Sequence, residues 1–257
     1  MIGLIGGTGI YDTSIIENAE ERLIDTAFGE VTLYIGSYQG RDLVFLPRHG
    51  LGHNVLAPQV NHYANMQALA DVGVDAVFAT AAVGSMNLDM KGGDLVLLDQ
   101  FVDFTAKEAY SYGTISVNMT DPYCPELRAV LQETAEERGI SLHPRATYFC
   151  LDGPRYETKA EIRLFRNWGM DVLGMTGAPE AILAREQGMH YASVGIVTNY
   201  CAGIGEDVPD LASHRNAVKE NMDKIKDLVF SGIQAVPETF TRCDCREYYA
   251  KALEARK

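Results

Sequence analysis

Residues 74–82 form a nearly continuous apolar run. A strand with one face in water alternates apolar and polar residues. A run that does not alternate fits a strand covered on both faces. Such a strand requires helices above and below it, and the rest of the chain offers them in alternation. Strand patterns fall at 94–99, 146–151, 171–174 and 190–198, and helical patterns at 125–138, 158–168, 179–187 and 211–232. A last helix is expected within 243–257, centred on 246–255.

Before the central run, residues 1–5 read as a short buried strand bounded by Gly6-Gly7. Residues 31–37 and 41–46 read as a hairpin around Tyr38-Gln39-Gly40. Pro58 opens a helical pattern through Ala70. The expected fold class is therefore α/β: one domain over 1–257, built as an α/β/α sandwich with a central mixed sheet. The polar, Tyr-rich stretch 103–120 reads as a long functional loop.

Composition narrows the function. With 22 Lys plus Arg against 35 Asp plus Glu, the formal charge is −13. That balance disfavours nucleic acid and anionic membranes as partners. It leaves small anions open, since a few placed donors reverse the local field. The five cysteines are odd in number, and only Cys243 and Cys245 are close in sequence, which does not make a secreted disulfide framework. No membrane span or signal peptide is visible, so a soluble cytoplasmic protein is expected.

Short motifs stand at the ends of the expected strands. Gly6-Gly7-Thr8-Gly9 lets backbone N–H groups approach a phosphate, with Thr8 adding a hydroxyl. A dinucleotide fingerprint would need Gly or Ala where Asp12 stands, and a plain tight turn is the simplest rival. Arg48-His49-Gly50 suits an anion or a solvated loop. Ala81-Ala82-Val83-Gly84-Ser85 permits close ligand approach or close packing. In Gly153-Pro154-Arg155-Tyr156-Glu157-Thr158, Tyr156 can stack on a planar base and Glu157 can accept from a ring N–H, while Thr158 with Glu161 can cap a helix. Met175-Thr176 and Asn199 close two further strands. Cys243-Asp244-Cys245 reads by default as free thiols, because two thiols alone make a poor metal site and a disulfide between such close residues is strained and reducible, with a redox or stabilising role as the alternative.

Taken in this order, with Asn61-His62-Tyr63-Ala64-Asn65, Gly92-Gly93-Asp94 and Ala178-Pro179-Glu180-Ala181 in support, the set resembles the trimeric purine nucleoside phosphorylase and methylthioadenosine phosphorylase family over residues 1–236. Within it, the likeness is to the 6-oxopurine nucleoside and S-methyl-5'-thioinosine branch. The resemblance implies reversible phosphorolysis, with phosphate as co-substrate and no metal or organic cofactor. It places Thr8, Arg48, His49, Ala81, Ala82 and Thr176 around phosphate. It puts Met175 under the ribose, Tyr156, Glu157 and Asn199 around the base, and Leu211 (or His214) near the 5' group. Asn199 and His49 carry the catalytic roles. Related methylthioadenosine phosphorylases have Asp where Asn199 stands and a small hydroxyl residue where Glu157 stands, so the expected substrates are inosine, guanosine or 5'-methylthioinosine. The alternatives are a methylthioadenosine phosphorylase, a Rossmann enzyme using NAD and a non-catalytic binding module. A homotrimer or dimer of trimers is implied, with Ser116 at the position where relatives lend a neighbour's side chain.

Overall fold

A computed structural model describes residues 1–7, 13–105, 110–205 and 211–256; the side chains of 13, 211–218 and 220 fall outside the description. The strands are β1 (Ile2–Gly6), β2 (Glu17–Thr26), β3 (Gly29–Tyr38), β4 (Arg41–Pro47), β5 (Ala76–Ser85), β6 (Leu95–Asp103), β7 (Leu142–Cys150), β8 (Val172–Gly174) and β9 (His190–Tyr200). The helices are α1 (His62–Asp71), α2 (Pro125–Arg138), α3 (Lys159–Asn167), α4 (Gly177–Glu186), α5 (Leu211–Ala235) and α6 (Cys245–Glu254).

The apolar run lies at the centre of the sheet, as its composition requires. β5 pairs in parallel with β1 on one edge and β9 on the other, and antiparallel with β8 beyond the end of β1. The sheet is mixed, in the order β2-β3-β4-β1-β5-β8-β7-β6-β9. Because β9 also pairs with β5, strands β5, β8, β7, β6 and β9 close a ring. The sandwich reading thus holds for the helical layers, but the sheet between them curls on itself. Two apolar clusters fill its faces. One gathers Met66 and Leu69 of α1 with Ala181 and Leu183 of α4. The other gathers Leu127 and Leu131 of α2 with Leu228 and Ile233 of α5.

The structure departs from expectation in three places. β2 carries no sequence signal of a strand, because Glu17, Glu20, Glu21 and Arg22 interrupt any alternation. It exists by pairing with β3 and is exposed along most of its length, an edge strand kept from aggregating by its charges. The helix expected from Pro58 begins at His62 instead. Residues Ala57–Gln59 make a separate 3-10 turn, Val60 is extended, and Asn61 caps α1 by accepting from the Ala64 N–H at 3.1 Å. Finally, Cys243 and Cys245 are not two thiols alone. The tertiary fold brings Cys124 and His190 to them.

The described part of the Tyr-rich loop packs on α1: Tyr110 is buried, and the Tyr112 hydroxyl donates to the Tyr63 carbonyl at 2.8 Å. The capping box at Thr158 forms as expected, with Thr158 and Glu161 exchanging hydrogen bonds across the first turn of α3.

Candidate active site

Strands β1, β4, β5 and β9 run parallel, so their C-terminal ends share one edge. Open α/β sheets bind ligands at such edges, because side chains and loops diverge there. A cavity sits at that edge. Arg48 and His49 enter it from the end of β4, Ala81 and Ala82 from β5, Met175 and Thr176 from the end of β8, and Asn199 from β9. Tyr156 and Glu157 enter from the loop before α3, with Tyr156 41% exposed at the mouth. Nine of the site positions read from the sequence therefore line one cavity: Arg48, His49, Ala81, Ala82, Tyr156, Glu157, Met175, Thr176 and Asn199, with Gly84 and Pro154 of the same motifs among them.

Of the remaining expectations, only Ser116 is placed elsewhere; the side chains of Thr8, Leu211 and His214 are not described. Thr8 lies outside the described residues. Leu211 begins α5 and His214 follows it, but their side chains are outside the description. Ser116 is exposed and lines a separate groove with Ala252, Ala255 and Arg256 of the C-terminal segment, away from the cavity of its own chain.

Arg48 is buried to 4% exposure and held in place. Its Nε and Nη2 donate to the two carboxylate oxygens of Glu180, the latter at 2.7 Å, and Nη1 donates to the Thr80 carbonyl at 2.7 Å. Glu180 is 1% exposed and also accepts from the Tyr191 hydroxyl at 2.9 Å. Burial alone pushes the Glu180 carboxyl up. The charge and hydrogen bonds of Arg48, joined by His62, outweigh it and hold the group below its ordinary value. The guanidinium edge best suited to a bidentate anion is therefore occupied by protein. Arg48 lines the cavity as a fixed positive charge. Gly7 is small for this reason: a Cβ there would lie 2.3 Å from the Thr80 carbonyl oxygen and 2.6 Å from Arg48 Nη1.

His49 is held as a neutral ring. Its Nδ1 sits 2.8 Å from the Val55 carbonyl, which can only accept, so Nδ1 carries the proton and Nε2 is an acceptor. Burial, with the Arg48 charge behind it, pushes the pKa down to about 4. Thr176 precedes α4 without using its hydroxyl as a cap. The Thr176 and Gly177 N–H groups donate to the Tyr148 hydroxyl at 3.2 Å each, which fixes the positive end of α4 beside the cavity.

At the other end of the cavity, Asn199 is set by its own strand. Its Oδ1 accepts from the Thr198 hydroxyl at 2.7 Å, and its Nδ2 donates to the Tyr200 carbonyl at 2.8 Å. Each amide group retains a second bonding position. Glu157 is half-buried, and burial raises its pKa above the ordinary carboxyl value. Met175 lies against Gly153, where an added Cβ would come 2.3 Å from the Met175 sulfur. Gly153 also has φ +68°, so both its space and its backbone exclude other residues.

Sequence reasoning missed Glu180, although it had marked the stretch around it. The signal was available: an acid inside the small apolar run Gly177-Ala178-Pro179-Glu180-Ala181 must be buried, and a buried acid needs a cation. Missed too were His53, Val55, Leu56 and Ala57, which line the same cavity. Nothing local marks them.

Residues 1–233 match the family model described as Phosphorylase superfamily. A relative from Thermococcus kodakarensis, named a probable 6-oxopurine nucleoside phosphorylase, is 45% identical, with 96% of each chain covered. A relative from Thermofilum pendens, named S-methyl-5'-thioadenosine phosphorylase, is 39% identical, with 98% of each covered. The solved structure of a methylthioadenosine phosphorylase from an antarctic soil metagenomic library superposes with a TM-score of 0.89 at 30% identity, over 98% of this chain and 91% of that one.

Proposed function

Because this chain belongs to the phosphorylase superfamily, we propose that it splits 6-oxopurine nucleosides (inosine, guanosine or 5'-methylthioinosine) with phosphate, giving free base and the ribose or methylthioribose 1-phosphate. The observation that carries this reading is the joint placement of Asn199 and Glu157 in the cavity that also holds Arg48, His49 and Thr176. β5 spaces the two ends: Arg48 bonds at Thr80, while Asn199 lies beside Gly84. Four residues of strand span about 13 Å, which leaves room for a sugar between an anion and a base.

The chemistry follows from these positions. Phosphate lies beside Arg48 and the start of α4, with Thr176 and His49 as hydrogen-bond partners. A neutral His49 Nε2 accepts from a protonated phosphate oxygen or takes a proton as the dianion settles. By the family resemblance of its sequence, Thr8 is assigned to phosphate as well. The oxocarbenium-like sugar forms over Met175, close to the phosphate charge. At the base, Asn199 donates from Nδ2 to O6 and accepts at Oδ1 from the N7–H that forms as the bond breaks. Glu157 accepts from N1–H, and Tyr156 covers the ring. A 6-aminopurine reverses this edge, donating where Nδ2 donates and accepting where Glu157 accepts. No metal or organic cofactor enters the reaction.

The test is phosphate-dependent base release from a panel of inosine, guanosine, 5'-methylthioinosine and 5'-methylthioadenosine. The first three should lead by kcat/KM; preferred release of adenine would overturn the reading. His49→Ala should raise the KM for phosphate about 10- to 100-fold, from the loss of one hydrogen bond to a charged group. The KM for the nucleoside should change much less.

The assembly we infer is a trimer or a dimer of trimers, in the cytoplasm. It is supported by exposed large apolar side chains. Phe104 is 52% exposed, Leu164 46% and Trp168 49%, and Phe104 and Trp168 are in ring contact. Sedimentation equilibrium checks this: a mass of 28.2 kDa, that of one chain, would contradict it.

A further inference from the structure

Three thiols and an imidazole meet at one point remote from the cavity. The Sγ atoms of Cys124, Cys243 and Cys245 and a ring nitrogen of His190 all lie within 4.8 Å of one another. His190 Nδ1 is 3.4 Å from Cys124 Sγ and 3.3 Å from Cys243 Sγ. A tetrahedral zinc ion with bonds of about 2.3 Å to sulfur and 2.0–2.1 Å to nitrogen separates sulfur and nitrogen ligands by about 3.6 Å. The two nitrogen–sulfur distances are within a few tenths of an ångström of that spacing before any ion draws the group together.

The groups are also built into the fold. Cys124 is fully buried, His190 is 1% exposed and Cys245 is 2% exposed. Each comes from a different part of the chain. Cys124 precedes α2 and does not cap it with its side chain, while its backbone N–H is tied to Tyr191. His190 opens β9, and its ring is stacked on Phe240 at 3.6 Å between centroids. Cys243 and Cys245 flank the start of α6. Two residues apart in an extended chain would face opposite ways. Asp244 between them has φ −101° and ψ 16°, which turns both thiols to one side.

One nitrogen cannot donate its single proton to two sulfurs, and two of the three thiols, Cys124 and Cys245, are buried away from water. A soft divalent ion resolves all of these contacts at once. The donor set contains no carboxylate, which disfavours calcium and magnesium, and three cysteines with one histidine is a set that structural zinc sites use.

We propose that Cys124, His190, Cys243 and Cys245 form a structural zinc site that ties the C-terminal helix α6 to α2 and β9. Zinc binds the three sulfurs as thiolates and displaces their protons to solvent. The site closes long loops: 66 residues separate Cys124 from His190, and 53 separate His190 from Cys243. The ion therefore restrains the last part of the chain, including the face of α6 that lies beside Ser116. The inference does not depend on the proposed activity.

The test is elemental analysis of the protein purified under reducing conditions, followed by cobalt substitution. One zinc per chain is expected, and the cobalt form should show the intense visible bands of a tetrahedral thiolate site. Cys243→Ser and Cys245→Ser should each lower zinc retention at least tenfold after dialysis against a chelator, and chelation should lower the Tm of the parent. Activity toward the best nucleoside should survive in zinc-loaded protein and in Cys243→Ser. Should either variant fail to fold, the parent alone decides, through metal content and thiol titration with and without chelator. Reduced parent protein that binds neither zinc nor cobalt would overturn the proposal. So would an intact mass two hydrogens short, showing Cys243 and Cys245 joined as a disulfide.

Discussion

Asn199→Asp is expected to lower kcat/KM for inosine about 100- to 1000-fold, the usual cost of losing a donor that acts on a developing charge. Two effects combine. The carboxylate cannot donate to O6, so the incoming base meets an acceptor where it needs a donor. It also faces the Tyr200 carbonyl, which the Asn199 Nδ2 now satisfies at 2.8 Å. The Thr198 hydroxyl keeps its acceptor in either case, so one carboxylate oxygen stays anchored while the other loses its partner. The same substitution should raise the relative rate for 5'-methylthioadenosine, whose amino group donates. Pairing it with Glu157→Ser should extend the shift, since a hydroxyl can donate to N1. The measurement is kcat/KM for inosine and 5'-methylthioadenosine in both variants. An unchanged ratio would mean that Asn199 does not read the base.

Glu180→Ala should destabilise the protein by about 3–5 kcal/mol, the range found when one partner of a buried ion pair is removed. Arg48 would remain buried with its charge facing the Thr80 carbonyl, and the Tyr191 hydroxyl would lose its acceptor. Glu180→Gln should cost less, because the hydrogen bonds persist in part while the charge does not. The urea midpoint measures both. Phosphate should then raise the Tm of the alanine variant more than that of the parent, because a bound anion beside Arg48 supplies the missing counter-charge. A loss below about 1 kcal/mol would show that the pair is not a fixed element of the site. Equal rescue of parent and variant would show that phosphate does not bind against Arg48.

Much of this site was legible before the fold was known, and the reason is local. Gly6-Gly7, Arg48-His49, Ala81-Ala82, Met175-Thr176 and Asn199 all stand where an apolar run ends. Strand ends are where a parallel sheet presents ligand-binding groups, which made each motif a candidate, and the resemblance to the phosphorylase family gathered the candidates into one set. Glu157 was legible from its context before a helix start. β2 was not, because an exposed edge strand is defined by its neighbour and not by its own pattern. Nor was the fork of Arg48 seen to be taken, since Glu180 lies 132 residues away.

The sequence by itself determined the layered α/β fold and the set of groups at one edge of its sheet. Period and polarity are properties of neighbouring residues, and they decide which strands must be buried. Only the tertiary structure decided how those groups are charged and held. The Arg48 pairing with Glu180, the neutral ring of His49 and the meeting of Cys124, His190, Cys243 and Cys245 all depend on through-space distance. Electrostatics and ligation act over a few ångströms, and contacts of that kind between distant segments leave no periodic trace in the chain.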